Sequence, residues 1–498
     1  MKTSKKMNPK IVYFRPEWTS GSYNNEKKTA IVYNLIEGVS HYFDDMSAVV
    51  IGHMLASKRS TPINLNDIAI KVDLPVEIIV DFAKQLSQVG LLTNRLYNKE
   101  EIYRYRKIVA QNNKEHYNHD KIMPNGVESI ELGLSGAEED YAKSLSGWTN
   151  VVFELTYRCS EKCIHCYNVG STHYQSDIDK RGDRCELTLE EYKRVIDELK
   201  EQGMFKICLT GGDPFSKSIA WNIIEYCYEK EIAVELYTNG LAISNQTEKL
   251  INLYPRIVGL TLYSSIPETH DKVTRTKGSF EKTISTLEQL SNFGIPLQLK
   301  CCVFNVNFSS YKGVYKLAED FAALPQIEVN IKNTVDGNKY ASQHLRLTEK
   351  EYEELFKDPY IYPYIQSNSL DRITTRDFSQ NACIGGVKSC TLTPEGDIIP
   401  CPAFHLIFGN VRNSSILEIR NSKKMKEWEK VTLKEYEKCG RHKYCAFCSI
   451  CPGDNYSDTG SPLKASDNKC FMAKQRYTYA EKIYKKGNSD AHNYQINK

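Results

Sequence analysis

Apolar residues recur along the chain with two periods, and the change of period marks its parts. Lys10–Trp18 and Ala30–Ile36 are rich in Val, Ile, Tyr and Phe and predict two short strands, with an Asn- and Gly-containing turn region at Ser20–Lys28 between them. Asp44–Ala56 then reads as an amphipathic helix. Leu65–Val72 and Val76–Gly90 predict two more, with Leu74-Pro75 at the boundary, where proline is tolerated, and Gly90 as a C-cap. Strands followed by three helices suggest a winged-helix-like module over residues 1–95. Residues 96–147 are polar and read as a linker, partly helical at 99–112.

Strands and helices then alternate with regularity. The expected strands are Val151–Thr156, Lys206–Thr210, Ala233–Tyr237, Val258–Tyr263, Pro296–Val303 and Ile327–Lys332. Helical patterns lie between them near 188–202, 217–230, 246–253, 279–293 and 309–323. Such repeats with short loops imply an α/β fold, a parallel sheet with helices packed outside. Six units over 148–340 fit a partial (β/α)6 barrel better than a closed eight-unit one. Ligands of parallel sheets sit at the carboxyl ends of the strands. Cys159, Gly211 and Asn239 each follow a strand end and are expected at one mouth. A polar bridge follows over 341–375, with one charged helix near Thr348–Lys357, and then a cysteine-rich domain over 376–475. The tail, 476–498, is expected to continue a helix begun near Lys474 and to end in a disordered polar stretch.

Composition narrows the classes. Lys+Arg is 65 and Asp+Glu is 62, a near balance that argues against a dedicated nucleic-acid binder. No apolar run reaches the length of a membrane span, and MKTSKKMNPKIVYF has no apolar h-region. The expected compartment is the cytoplasm. There the 16 cysteines are too many for a disulfide framework. Eleven fall in two groups, three at 159–166 and eight at 383–470, which reads as metal or iron–sulfur ligation. Cys185, Cys208, Cys227, Cys301 and Cys302 read as small buried hydrophobes.

Residues 159–166, CSEKCIHC, place Cys159, Cys163 and Cys166 on one loop. Three thiolates so spaced can hold three irons of a 4Fe–4S cluster and leave the fourth open to a substrate or cofactor. The alternative is a zinc site borrowing His165, but zinc sites prefer paired Cys-x2-Cys units. After the second strand comes Gly211-Gly212-Asp213-Pro214, and after the third Thr238-Asn239-Gly240; alone, each is a turn signal.

Together these segments resemble the radical S-adenosylmethionine (SAM) superfamily. CSEKCIHC is similar to its cluster loop, with His165 at a usually aromatic position, and GGDP to its GGE motif, with Asp213 for Glu. The resemblance implies that SAM binds the open iron and is cleaved reductively to methionine and a 5′-deoxyadenosyl radical. It implies that Gly211, Gly212 and Asp213 contact the amine and methionine part of SAM, and Asn239 the ribose region. Thr261 is a weaker candidate. Arg275 or Lys277, in YSSIPETHDKVTRTKGSF, could neutralise the SAM carboxylate, and Lys300 is a further candidate.

The second group comprises Cys383, Cys390, Cys401, Cys439, Cys445, Cys448, Cys451 and Cys470. The segment resembles the SPASM domain, which implies two auxiliary 4Fe–4S clusters. Cys383-x12-Gly396-x4-Cys401 fits the first half of that pattern. The second half departs from it, with Cys-x5-Cys-x2-Cys-x2-Cys where the family has Cys-x2-Cys-x5-Cys-x3-Cys. If Cys439 and Cys448 take the first and third places, His442 falls on the second. Cys445-x2-Cys448-x2-Cys451 also has zinc-like spacing, which leaves structural zinc as the alternative.

The N-terminal module has two readings. Its helices are poor in Arg and Lys, which disfavours a DNA reader. The other reading is capture of an extended peptide at a strand edge. YFDDMSAVVIGHMLASK…QLSQVGLL resembles the small leader-peptide-binding protein of pyrroloquinoline quinone biosynthesis. The combined resemblance implies a maturase of a ribosomally made precursor peptide, served by a reductase, flavodoxin or ferredoxin and acting without nucleic acid or membrane. Its expected product is a thioether from a cysteine sulfur to carbon. Carbon–carbon or ether crosslinks and epimerisation are the other outcomes, the last needing a thiol that returns hydrogen. An anaerobic sulfatase-maturing enzyme would share barrel and SPASM domain but not need residues 1–95. An iron–sulfur regulator with a DNA reader would leave GGDP and six strand–helix units unexplained.

Overall fold

The computed structural model describes residues 12–115, 136–168, 186–334, 337–358, 361 and 377–496. Its first strands are β1 (Tyr13–Phe14), β2 (Thr19–Asn24), β3 (Thr29–Asn34), β4 (Val39–Asp44) and β5 (Pro62–Ile63). β2, β3 and β4 form an antiparallel meander, and β1 pairs with β5. The sequence reading missed β2 and β4. Ser, Gly and Asn in TSGSYN mimic a turn, yet Gly21 is a strand residue under close approach. A Cβ there would lie 2.8 Å from the Ile31 carbonyl and 2.9 Å from Leu55. Helices Asp45–Leu55, Leu65–Val72 and Val76–Gln88 follow, close to expectation.

One face of the meander, with Ala30 and Val32, packs on these helices through Ala48, Ile51 and Met54. The other face, with Ile31 and Tyr33, meets Tyr141, Phe205 and Tyr254. The expected linker is thus structural. It carries helices Lys99–Glu115 and Gly136–Ser144. Glu138 is fully buried and accepts from Tyr33 at 2.8 Å and Arg256 at 2.9 Å, with Lys206 at 3.5 Å. The polar composition that reads as a linker includes Glu138, which tertiary ion pairs bury.

The centre is a nine-stranded sheet. Its parallel strands are β6 (Asn150–Thr156), β7 (Lys206–Gly211), β8 (Ala233–Thr238), β9 (Ile257–Thr261), β10 (Leu297–Cys302) and β11 (Leu324–Glu328). Val151, Phe153 and Leu155 of β6 face the helix-side core, which turns Glu154 and Thr156 to the other face. Helix Leu189–Glu201 starts on a capping box of Thr188 and Glu191 and buries Tyr192, Val195, Ile196 and Leu199. The cysteine-rich part is continuous with this sheet. β12 (Ser389–Leu392) lies parallel to β6, and β13 (Asp397–Ile399) and β14 (Gly409–Asn410) continue antiparallel.

Helix Glu349–Leu355 occupies the expected place in the bridge. The tail departs from expectation, since helix Asp467–Ile496 runs through it. Among the described residues no helix is long and apolar enough to cross a membrane.

Candidate active site

The barrel floor and mouth differ in chemistry. At the floor, Arg256 and Lys206 pair with Glu138 and with Glu235, at 2.6 and 3.2 Å. Arg15 and Arg59 pair with Glu231 just before β8. The N-terminal module therefore sits on the floor, away from the strand ends that carry the motifs.

At the mouth, the loop after β6 holds the first three thiols. Charges of Glu161, Cys166 and Cys159 add to burial in pushing the Cys163 thiol far up, so the three thiols lie together. Burial drives Cys159 up to about 12. Neighbouring loops hold this one by its backbone. The Lys162 and Ile164 amides donate to the carbonyls of Thr274 and Val273, at 2.9 and 3.0 Å. The segment Asp271–Phe280 is fixed in turn by Asp271, which accepts from Gly278, Ser279 and Phe280.

The two glycines have a definite purpose here. A Cβ on Gly211, whose φ is +130°, would lie 2.3 Å from the Thr156 carbonyl, and one on Gly212 would lie 2.3 Å from that of Arg158. The close approach is between backbones. The Gly212 amide donates to Thr156 at 2.7 Å and the Asp213 amide to Arg158 at 2.8 Å. Asp213 is fully buried and its carboxylate is engaged within the protein. It accepts from the Phe215 amide at 2.9 Å, the Thr238 hydroxyl at 2.6 Å and the Asn239 amide at 3.1 Å. Asp213 ties three strand ends together, which differs from the expected ligand contact. Asn239 is buried at the loop, donating to Ser160 at 3.2 Å and to the Cys159 sulfur at 3.4 Å.

The other expected contacts separate. Thr261 ends β9 half-buried, beside Lys300 of β10. Lys300 lies 3.6 Å over the Tyr237 ring and donates to Gln326 at 2.8 Å. Arg275 and Lys277 are exposed, which agrees with a solvated face. Cys227 and Cys301 are in the apolar core, and Cys185 lies outside the described residues. Cys302 instead packs against the small cluster that holds Tyr263 and Phe304, the cluster that Cys163 also packs against. Cys208 is buried but has Glu235 and Lys300 as charged neighbours.

Sequence reasoning missed two acidic groups at this mouth and the buried setting of His165. Burial pushes Glu161 up to about 8; one oxygen lies 3.5 Å from Cys163 and the other has no partner. Burial likewise pushes Glu154 up to about 7, against hydrogen bonds from Tyr157 and Tyr167. His165 is held neutral by burial, at about 4, with its ring against Tyr263 and Phe304 and Nδ1 unpartnered. Their positions within or just before the Cys-x3-Cys loop were the available signal.

The C-terminal thiols fall into two sets. Burial, then the charges of Cys448, Cys470 and Cys445, move Cys439 up to about 11, and these four line one pocket with Cys451. The charges of Cys383, Cys439 and Cys451 all act on Tyr436, and that of Cys401 acts on Cys451, so Cys451 links the pocket to Cys383 and Cys401. Cys390 stands apart. It is 1% exposed, within the apolar core, and its charged neighbour is Arg420. The structure thus leaves Cys390 out of the expected ligand group, because β12 turns it toward the helix layer. His442 is exposed and stacks on Tyr444 at 5.0 Å. Among the described residues, no three His, Cys, Asp or Glu side chains converge on a single metal-ion position. A cavity of ≈ 360 Å³ lies between Tyr167 of the mouth, Lys332 after β11, His405 and Tyr456–Gly460.

The donor chemistry fits an iron–sulfur cluster at the loop, with three grouped thiols beside unpartnered Glu161 and His165 atoms. Family comparison agrees. Residues 153–318 match the radical SAM superfamily, and residues 383–452 match the iron-sulfur cluster-binding domain called SPASM. The antilisterial bacteriocin subtilosin biosynthesis protein AlbA of Bacillus subtilis is 29% identical over 340 residues, 65% of this chain and 71% of AlbA. An AdoMet-dependent heme synthase of Oleidesulfovibrio alaskensis is 26% identical, over 63% of this chain and 84% of its own. In fold, Streptococcus suis SuiB bound to precursor peptide SuiA is similar over 92% of this chain and 99% of its own, with a TM-score of 0.55 at 14% identity. The cofactors of these domains are 4Fe–4S clusters and SAM. The chain carries a radical SAM domain followed by a SPASM domain.

Proposed function

We propose that this enzyme matures a ribosomally made precursor peptide and that its product is a thioether from a cysteine sulfur to carbon. The observation that carries the reading is the N-terminal module on the barrel floor. Its edge strand β4 is half-exposed, with Val39 at its start, Met46 in the first turn of the helix that follows and Ile78 on helix Val76–Gln88 all exposed. An extended peptide can add to such an edge by backbone hydrogen bonds. A small-molecule synthase or a sulfatase-maturing enzyme has no need of this module. The similarity to AlbA, a bacteriocin biosynthesis protein, supports the peptide class.

In this reading Cys159, Cys163 and Cys166 hold the SAM-binding cluster, which supplies reductive SAM cleavage when bound. The backbone of Gly211 and Gly212, with Asn239 and Thr261, shapes the SAM side of the mouth, and Asp213 fixes those strand ends. Cys439, Cys445, Cys448 and Cys470 hold one auxiliary cluster. Cys383, Cys401 and Cys451 hold the other. The peptide enters through the cavity between mouth and cysteine-rich domain.

The test is anaerobic reconstitution with SAM, dithionite and leader-bearing precursor peptides that contain cysteine. The expected result is 5′-deoxyadenosine with a peptide two hydrogens lighter, whose fragments place sulfur on carbon. A mass-neutral peptide that takes up solvent deuterium would replace the thioether with epimerisation, for which Cys302, packed on the same cluster as Cys163, is the candidate thiol. No change in any leader-bearing peptide would overturn the reading.

A further inference from the structure

Helix Pro452–Thr459 connects the two C-terminal thiol sets. Its N-cap is Cys451, whose sulfur accepts from the Asp454 amide at 3.4 Å. The Asp454 carboxylate is buried and held by two lysines from opposite sides. Lys469, from the C-terminal helix, lies 2.8 Å from one oxygen. Lys332, just after the last barrel strand, lies 3.8 Å from the other and lines the cavity. Each lysine also stands at thiols: Lys469 lines the pocket of Cys439, Cys445, Cys448, Cys451 and Cys470, and Lys332 reaches the Cys451 end of the helix through Asp454. Glu328 is the further charge on Lys332. Asp458, one turn on, is occupied by Arg346 at 2.7 Å. The buried ion-paired trio of two ammonium groups and one carboxylate carries a net positive charge beside the thiols, and Glu328, being exposed, opposes it only through solvent.

We propose that Lys332, Asp454 and Lys469 are positioning residues that set the reduction potentials of the two auxiliary clusters. This rests on the ligand reading given above. Reduction adds one negative charge to a cluster, and nearby fixed charge and burial decide how well that charge is tolerated. An ammonium beside the thiols favours the reduced state and raises the potential; the carboxylate opposes it. Lys332 weights the Cys383, Cys401 and Cys451 set, and Lys469 weights the Cys439, Cys445, Cys448 and Cys470 set. The lysine that lines the cavity therefore also tunes the cluster nearest to it.

The experiment is a potentiometric EPR titration of the reconstituted full-length enzyme, with the SAM-sensitive signal assigned by adding SAM. Lys332→Met is expected to make reduction of the first auxiliary cluster about tenfold less favourable, ~59 mV for one electron. Lys469→Met should do the same for the second. Asp454→Asn should move both potentials up, and Lys332→Arg should restore the parent value. Opposite signs for the lysine and aspartate variants are the signature that a general loosening of structure would not give. If a lysine variant fails to take up iron, the Asp454→Asn shift alone decides. Auxiliary signals present with unmoved potentials would overturn the proposal. Iron for one cluster only, with no auxiliary signal in the parent, would instead overturn the ligand reading beneath it.

Discussion

The two thiol regions are built in opposite ways. Cys159, Cys163 and Cys166 sit on one eight-residue loop, and everything around them exists to hold that loop. Strand ends β7 and β8 reach it through backbone contacts that only glycine permits and through Asp213. The C-terminal thiols come instead from segments spread over residues 383–470, gathered by a short helix, two lysines and the edge of the barrel sheet. The first arrangement is encoded in spacing; the second is encoded in tertiary packing. Loss of one ligand should therefore have a local effect in the first and a distributed effect in the second.

The largest expected effect follows directly. Cys163→Ala should reduce SAM cleavage to background while auxiliary iron stays bound. Iron counting with a 5′-deoxyadenosine assay checks it. Parent-level cleavage in this variant and in Cys159→Ala and Cys166→Ala would break the comparison at its root.

Glu154 lies between the regions, before the loop and within reach of the Cys401 charge. Its folded pKa is raised from 4.5 to about 7, chiefly by burial. The folded state thus prefers the protonated form, so its contribution is full below the unfolded pKa and is lost as pH rises through the folded one. Glu154→Gln should remove that loss. Relative to the parent, the variant should gain up to about 3 kcal/mol between acid pH and pH ~8. Urea unfolding of metal-free protein across that range measures it. A parallel pH dependence in both proteins would show that Glu154 is not held neutral.

Gly212→Ala probes the contact that holds the loop. The added methyl meets the carbonyls of Tyr157 and Arg158 at 2.6 and 2.3 Å, and backbone cannot yield as a side chain does. Overpacking of this kind costs about 1–3 kcal/mol. The variant should keep auxiliary iron, lose stability by that amount and bind the loop cluster weakly.

The same contrast explains how far the chain was legible as sequence. Five of the six barrel strands follow from alternating and continuous apolar runs, and the mouth from motifs at their ends; the sixth was expected at Ile327–Lys332 but runs over Leu324–Glu328, where it pairs with Gln298–Cys302. Asp213 looked like a ligand because sequence shows the carboxylate but not the Thr238 hydroxyl and two amides that occupy it. Strand β2 was hidden because Gly21 reads as a turn signal. Residues 96–147 read as a linker because the partners that bury Glu138, Arg256 and Lys206, are more than sixty residues away. Partners distant in the chain leave no local pattern.

The smallest effects are the sharpest test of the gathered set. Sequence spacing counts Cys390 as a ligand and places His442 on a ligand position. The structure puts Cys390 in the apolar core beside Val151 of β6 and leaves His442 exposed on Tyr444. Cys390→Val is close in volume and keeps the apolar contacts, so iron content should not change and stability should shift by less than about 1.5 kcal/mol. His442→Ala should leave both iron and stability at parent values, whereas Cys445→Ala should cost one cluster's iron. Loss of iron on Cys390→Val would mean that β12 turns its thiol inward when the cluster forms. The C-terminal set would then be organised by its metal rather than by the packing that surrounds it.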